Sequence, residues 1–74
     1  MTKIIGIKGT RYSTTFLLDN GRSITGTGEA LVGGVMLLIK SSFKYDDGEP
    51  LVGEELESFI QAILQTGKIE IYNK

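Results

Sequence analysis

The stretch ITGTGEALVGGVMLLIK, residues 24 to 40, decides the fold. Two glycines bracket Thr27, two more stand side by side at 33 and 34, and five apolar residues precede Lys40. A phosphate-binding loop, a membrane segment, a strand and a helix all compete for it. A Walker-type loop needs Gly-x-x-x-x-Gly-Lys-Ser/Thr. Gly28 and Gly33 have that spacing, but Gly34 and Val35 replace the lysine and the hydroxyl, so charge and magnesium ligand are both missing. A dinucleotide fingerprint needs a glycine where Leu31 stands. The apolar run from Ala30 to Ile39 is ten residues long, short of the roughly 20 that span a bilayer.

That leaves strand or helix. Val35 to Tyr45 alternates in part, with Ile39, Ser41, Phe43 and Tyr45 on one face. Eleven residues is long for a strand in so small a chain, and Met-Leu-Leu favours helix. The helix is the favoured reading. It starts at Thr27 or Gly28, with Glu29 in its first turn and Lys40 near its end. Gly33 and Gly34 each cost such a helix roughly 1 kcal/mol relative to alanine, a cost offset by close approach of another backbone. This helix would be apolar nearly all round and must be covered on several sides. A second copy of the chain is the expected cover, which makes Leu31, Val32, Val35, Met36 and Ile39 candidate residues of a homo-oligomer interface, in a dimer or larger.

The flanking elements are clearer. Lys3 to Lys8 (KIIGIK) and Ser13 to Leu18 (STTFLL) read as strands. Asp19 to Arg22 (DNGR) reads as a hairpin with Asn20-Gly21 as a two-residue loop, Asp19 facing Arg22 and Leu17 facing Ile24. A third strand then covers about Arg22 to Thr25. Phe43 to Pro50 is a loop with turn chemistry at Asp47-Gly48. In GEELESFIQAILQTG, Leu56, Phe59, Ile60, Ile63 and Leu64 follow the i, i+3, i+4, i+7, i+8 pattern of one helical face. Glu54, Glu55 and Glu57 crowd its start, where the helix dipole favours negative charge, and Gly67 suits a left-handed terminus. Lys68 to Tyr72 alternates as a last strand, with Ile69 and Ile71 inward. The expected fold is α+β: one small domain over residues 1–74, a small antiparallel sheet with two helices on one face, in the order β-β-β-α-α-β.

That order resembles the second half of the proteasome-type N-terminal-nucleophile hydrolases. There a strand enters a Gly-Ser-Gly-like turn, and two helices and a strand follow. Gly26, Thr27 and Gly28 match the turn, Ala30 to Leu38 the first helix, and residues 13 to 72 are covered. The resemblance implies helices on one sheet face and the other face free for a second subunit. It transfers no catalytic residue. The family's catalytic threonine, lysine and acidic residue lie in the half that this chain has no room for. Aligning TKIIGIK with the nucleophile strand would need Thr2 as a free amino terminus, and Met1 precedes it.

Composition narrows the chemistry. Seventy-four residues with 8 basic and 9 acidic side chains give a net charge of −1 with no basic stripe, which disfavours duplex nucleic acid as a partner. With no cysteine and no histidine there are no disulfides, no ordinary zinc site, no thiol nucleophile and no imidazole base. No signal peptide or spanning segment is read, so a cytoplasmic protein is expected. Asp46, Asp47 and Glu49 lie together but read as a turn, and DDGEP lacks the ligand spacing of a calcium loop. Ser13, Thr14 and Thr15 offer hydroxyls without a histidine to activate them. No metal, cofactor or catalytic residue is assigned, and a non-enzymatic protein is expected.

Two functions remain in view. The first is a small interaction or regulatory protein that self-associates, of a size that phages and mobile elements encode. Either outer strand could also add a partner strand, although edge lysines oppose this. The second is a binder of a small anionic ligand such as a nucleotide. Amides at Gly26, Thr27 and Gly28 would face the phosphate from a helix N-terminus, with Arg11 and Arg22 supplying charge and Tyr12 stacking on a base.

Overall fold

A computed structural model describes residues 3–73; Thr2, the residue in question for a free amino terminus, lies outside them. Among the described residues the chain forms β1 (Ile4–Gly9), β2 (Ser13–Leu18), β3 (Ser23–Ala30), β4 (Met36–Ile39), a 3-10 turn (Lys40–Ser42), β5 (Lys44–Tyr45), α1 (Gly53–Leu64) and β6 (Ile69–Tyr72). The α+β class holds. The order does not: among the described residues one α-helix is present where the sequence pattern predicts two, and the sheet has six strands in the order β1-β2-β3-β4-β6, with β5 beside β3.

The correction lies in the decisive stretch. Residues 30–39 are not a helix. β3 runs through the Gly-Thr-Gly segment to Ala30, Leu31 to Val35 reverse the chain, and Met36 to Ile39 return antiparallel to it. Gly33 and Gly34 both have positive φ, 89° and 82°, which suits a turn and not a helix interior. The Leu31 amide donates to the Val35 carbonyl at 2.7 Å and closes the loop. The strand–helix–helix–strand order behind the hydrolase resemblance therefore has a hairpin in place of its first helix.

The β2–β3 hairpin also differs by one residue from its expected form. Of Asn20 and Gly21, Gly21 alone has positive φ, so a type I′ turn is not formed. Leu18 and Arg22 instead close a three-residue loop, with Leu18 N–H donating to Arg22 O at 2.9 Å and Gly21 N–H to Leu18 O at 3.2 Å. Phe16 thereby faces Ile24, and Leu17 faces Ser23. A slip of one residue turns a strand over. Phe16 and Leu18 point into the core here, and Leu17 sits on the opposite face.

The sheet is mixed and not wholly antiparallel. α1 carries the chain from β5 across to β6, which pairs with β4 in parallel, Met36 beside Ile69 and Ile39 beside Tyr72. Parallel neighbours need such a crossover. The amphipathic reading of α1 is correct for its centre: Phe59, Ile60 and Ile63 are buried, while Leu64 at its end is 41% exposed. Phe59 meets Phe16 edge-on at 5.2 Å between ring centres and Phe43 at 5.4 Å. Around this trio lie Leu18, Ile24, Leu38, Leu51 and Ile69. The other sheet face mixes half-buried Leu17 and Leu37 with hydroxyls: Thr15 and Thr25 stand opposite each other and share a hydrogen bond at 3.0 Å. A solvated second face is usual for antiparallel strands.

Candidate functional site

The Gly-Thr-Gly segment has a packing role. A Cβ on Gly26 would fall 2.5 Å from Cε1 of Phe43, and one on Gly28 would overlap the Leu37 carbonyl. The first glycine makes room for a core ring, the second for a neighbouring strand. No helix begins here, so the helix N-terminus expected to face an anion is absent. Gly28 N–H donates to the Tyr12 carbonyl at 2.9 Å, and Thr27 N–H donates to the Ser42 hydroxyl at 2.9 Å.

The six candidate ligand residues divide between two ends of the sheet. Arg11 and Tyr12 lie in the β1–β2 connection, level with Gly28 and Ala30. Arg22 lies about 23 Å of extended strand away, at the other end of β3. There it bridges Asp46 at 3.2 Å and Asp47 at 3.1 Å, and its guanidinium stacks 4.2 Å above the Tyr45 ring. Desolvation lowers the Arg22 pKa, but the hydrogen bond to Asp46 and the charge of Asp47 outweigh it and hold the group above its ordinary value.

Two turns of the same build meet at this end. Leu18-Asp-Asn-Gly-Arg22 and Tyr45-Asp-Asp-Gly-Glu49 each close through paired backbone hydrogen bonds. In each, the side chain of the third residue accepts from the fifth amide at 2.9 Å, Asn20 from Arg22 and Asp47 from Glu49. This accounts for the Asp46-Asp47-Glu49 cluster as turn chemistry. Asp19, Asp46, Asp47, Glu49, Glu54 and Glu55 gather at this end, against Lys3, Arg22 and Lys44. Among the described residues no group of three or more carboxylates is placed to hold a metal ion.

Between this acidic end and the first turns of α1 lies a groove of about 390 Å³. Leu18, Ile24, Leu51 and Phe59 form its floor; Arg22, Tyr45, Glu54, Glu55 and Ser58 form its rim. The Glu55 carboxylate accepts a hydrogen bond from the Tyr45 phenol and, with partial burial, raises its pKa. The groove is hidden in the sequence because Lys44–Tyr45 reads locally as loop; once β5 pairs with β3, the Asp-Asp-Gly turn and the helix start share one end.

The candidate interface residues fare unequally. Val32 is fully exposed at the tip of the β3–β4 hairpin and Leu31 beside it is 36% exposed. Val35, Met36 and Ile39 are half-buried, with Met36 packed on the core from within the sheet. Tyr12, 65% exposed, stands at the same end. Sequence reasoning does not single out Ile5 and Ile7, exposed on the outer strand β1; Ile7 lines a second, shallow groove together with Ala62 and Gln65. Of the candidate hydroxyls, Thr14 is buried with its Oγ1 unpartnered, and Ser13 shares a hydrogen bond with Thr10 at 2.9 Å. No helix among the described residues is long and apolar enough to cross a membrane. No protein-family model, no curated protein and no solved structure matches this chain.

Proposed function

We propose that this chain is a non-enzymatic interaction module that self-associates. The observation that carries the reading is the hairpin tip: Val32 stands fully exposed between Leu31 and two glycines with open space around them. Exposed aliphatic side chains at a turn, where polar residues ordinarily sit, suit a contact surface better than a solvated loop. Ile5 and Ile7 offer a further apolar surface, flanked by Lys3 and Lys8, which discourage strand addition.

The test is molar mass by light scattering across a concentration series, with the 260/280 nm absorbance ratio read on the same peak. A mass rising above 8.1 kDa without excess 260 nm absorbance supports self-association. A monomer up to about 1 mM, the range of very weak complexes, overturns it. Co-purifying 260 nm absorbance would favour the anionic-ligand reading instead.

A further inference from the structure

The two ends of the sheet are complementary to each other. At one end the apolar tip, Leu31 and Val32, is accompanied by Tyr12 and by the cations Arg11 and Lys68. Glu29 and Glu70 stand one register position behind these cations, both level with Leu37 on the outer face, so Arg11 and Lys68 are the charges nearer the tip. At the other end the groove has an apolar floor and an acidic rim, and its one guanidinium is already neutralised by Asp46 and Asp47. A volume of about 390 Å³ is at the small end of the range for binding pockets, room for a few side chains.

We propose that the β3–β4 hairpin tip of one copy docks into the groove between α1 and the acidic turns of the next copy. The aliphatic side chains of the tip meet Leu18, Ile24 and Phe59, and Arg11 and Lys68 approach Glu54 and its neighbours. The contact joins two different surfaces of the same chain. Such a head-to-tail contact does not close on itself unless its rotation forms a ring, so assembly grows with concentration. Its charged rim makes it weaken as salt is added.

This rests on the self-association reading above and is tested separately from it. Leu31→Ser/Val32→Ser blunts the tip; Glu54→Lys/Ser58→Lys fills and reverses the groove. All four residues are exposed, so the fold is expected to survive, which circular dichroism checks. Each double variant alone is expected to be monomeric, its self-affinity weaker by on the order of tenfold or more. Mixed, the two leave one intact tip and one intact groove, and are expected to form a one-to-one dimer that grows no further. Association of the unaltered chain that persists in either variant, or a mixture that stays monomeric, overturns the tip-in-groove contact and leaves self-association standing. Association lost through Ile7→Lys alone assigns it to the β1 edge and likewise overturns this contact. An unaltered chain that is monomeric at every concentration removes both readings.

Discussion

The Ser42 hydroxyl stands 2.9 Å from the Thr27 amide and accepts its hydrogen bond, where a strand carbonyl would otherwise sit. It donates in turn to the Ile39 carbonyl at 2.6 Å. The 3-10 turn over Lys40–Ser42 thus lets β4 and β5 share one edge of β3 without leaving the amide between them unpaired. Ser42→Ala is expected to cost about 0.5–1.5 kcal/mol, toward the lower end because water reaches Thr27. Urea denaturation measures it; an unchanged midpoint would deny the hydroxyl its bridging role.

The glycines divide into two groups with different costs. Gly28→Ala drives a methyl group into the Leu37 backbone carbonyl, which has no flexible end to swing away. This variant is expected to lose the β3–β4 pairing outright. Gly26→Ala presses on the Phe43 ring and costs about 1–3 kcal/mol. Gly33→Ala meets nothing and incurs the positive-φ strain alone, about 1–2 kcal/mol. Thermal melts of the three variants give the order, and a Gly28→Ala protein as stable as Gly33→Ala would contradict the strand packing described.

Phe16 is fully buried and joins Phe43 and Phe59 in one aromatic cluster. Phe16→Ala is expected to cost about 3–5 kcal/mol. A chain of this length holds about 4–11 kcal/mol in all, so the variant should be largely unfolded at moderate urea. Its neighbour Leu17 is only half-buried, on the opposite face, and Leu17→Ala is expected to cost far less. Equal losses at the two positions would contradict the three-residue loop, which sets which of them faces the core.

Tyr45 supplies a pH dependence. The Glu55 carboxylate and partial burial raise its folded pKa above the unfolded value of about 10. A raised folded pKa contributes stability that is complete below the unfolded value and is lost as pH rises through the folded one. Tyr45→Phe keeps the ring under Arg22 and removes the titrating group. The stability gap between the two proteins is expected to shrink as pH rises past about 10. A gap constant across that range would show the phenol to be uncoupled from Glu55.

The parts legible in the sequence are those set by local rules. The bounds of Ser13–Leu18 can be read directly, because its residue types and flanking turn signals agree. α1 is legible from its apolar spacing, and Gly67 takes its expected positive φ beyond the helix end. Residues 30–39 are not legible, because ALVGGVMLLI has neither a period of two nor one of 3.6. What decides them is tertiary: β6 arrives from 33 residues downstream to pair with β4, and Gly28 admits the returning backbone. The acidic end is hidden for the same reason. Asp46 and Arg22 are 24 residues apart, and it is the β3–β5 pairing that brings them together.

The parallel pairing of β4 with β6 is expected to set the tempo of folding. Hairpins β1–β2, β2–β3 and β3–β4 close short loops, events of microseconds, and α1 forms locally. Joining Ile69 to Met36 must close the whole intervening segment, so its entropy is lost before its contacts are gained. β6 is therefore expected to be the last strand to dock. Until it does, Met36–Ile39 is an open apolar edge to which another unfinished chain can add. The interval in which this protein is expected to be most prone to aggregate is the time its C-terminal strand takes to arrive.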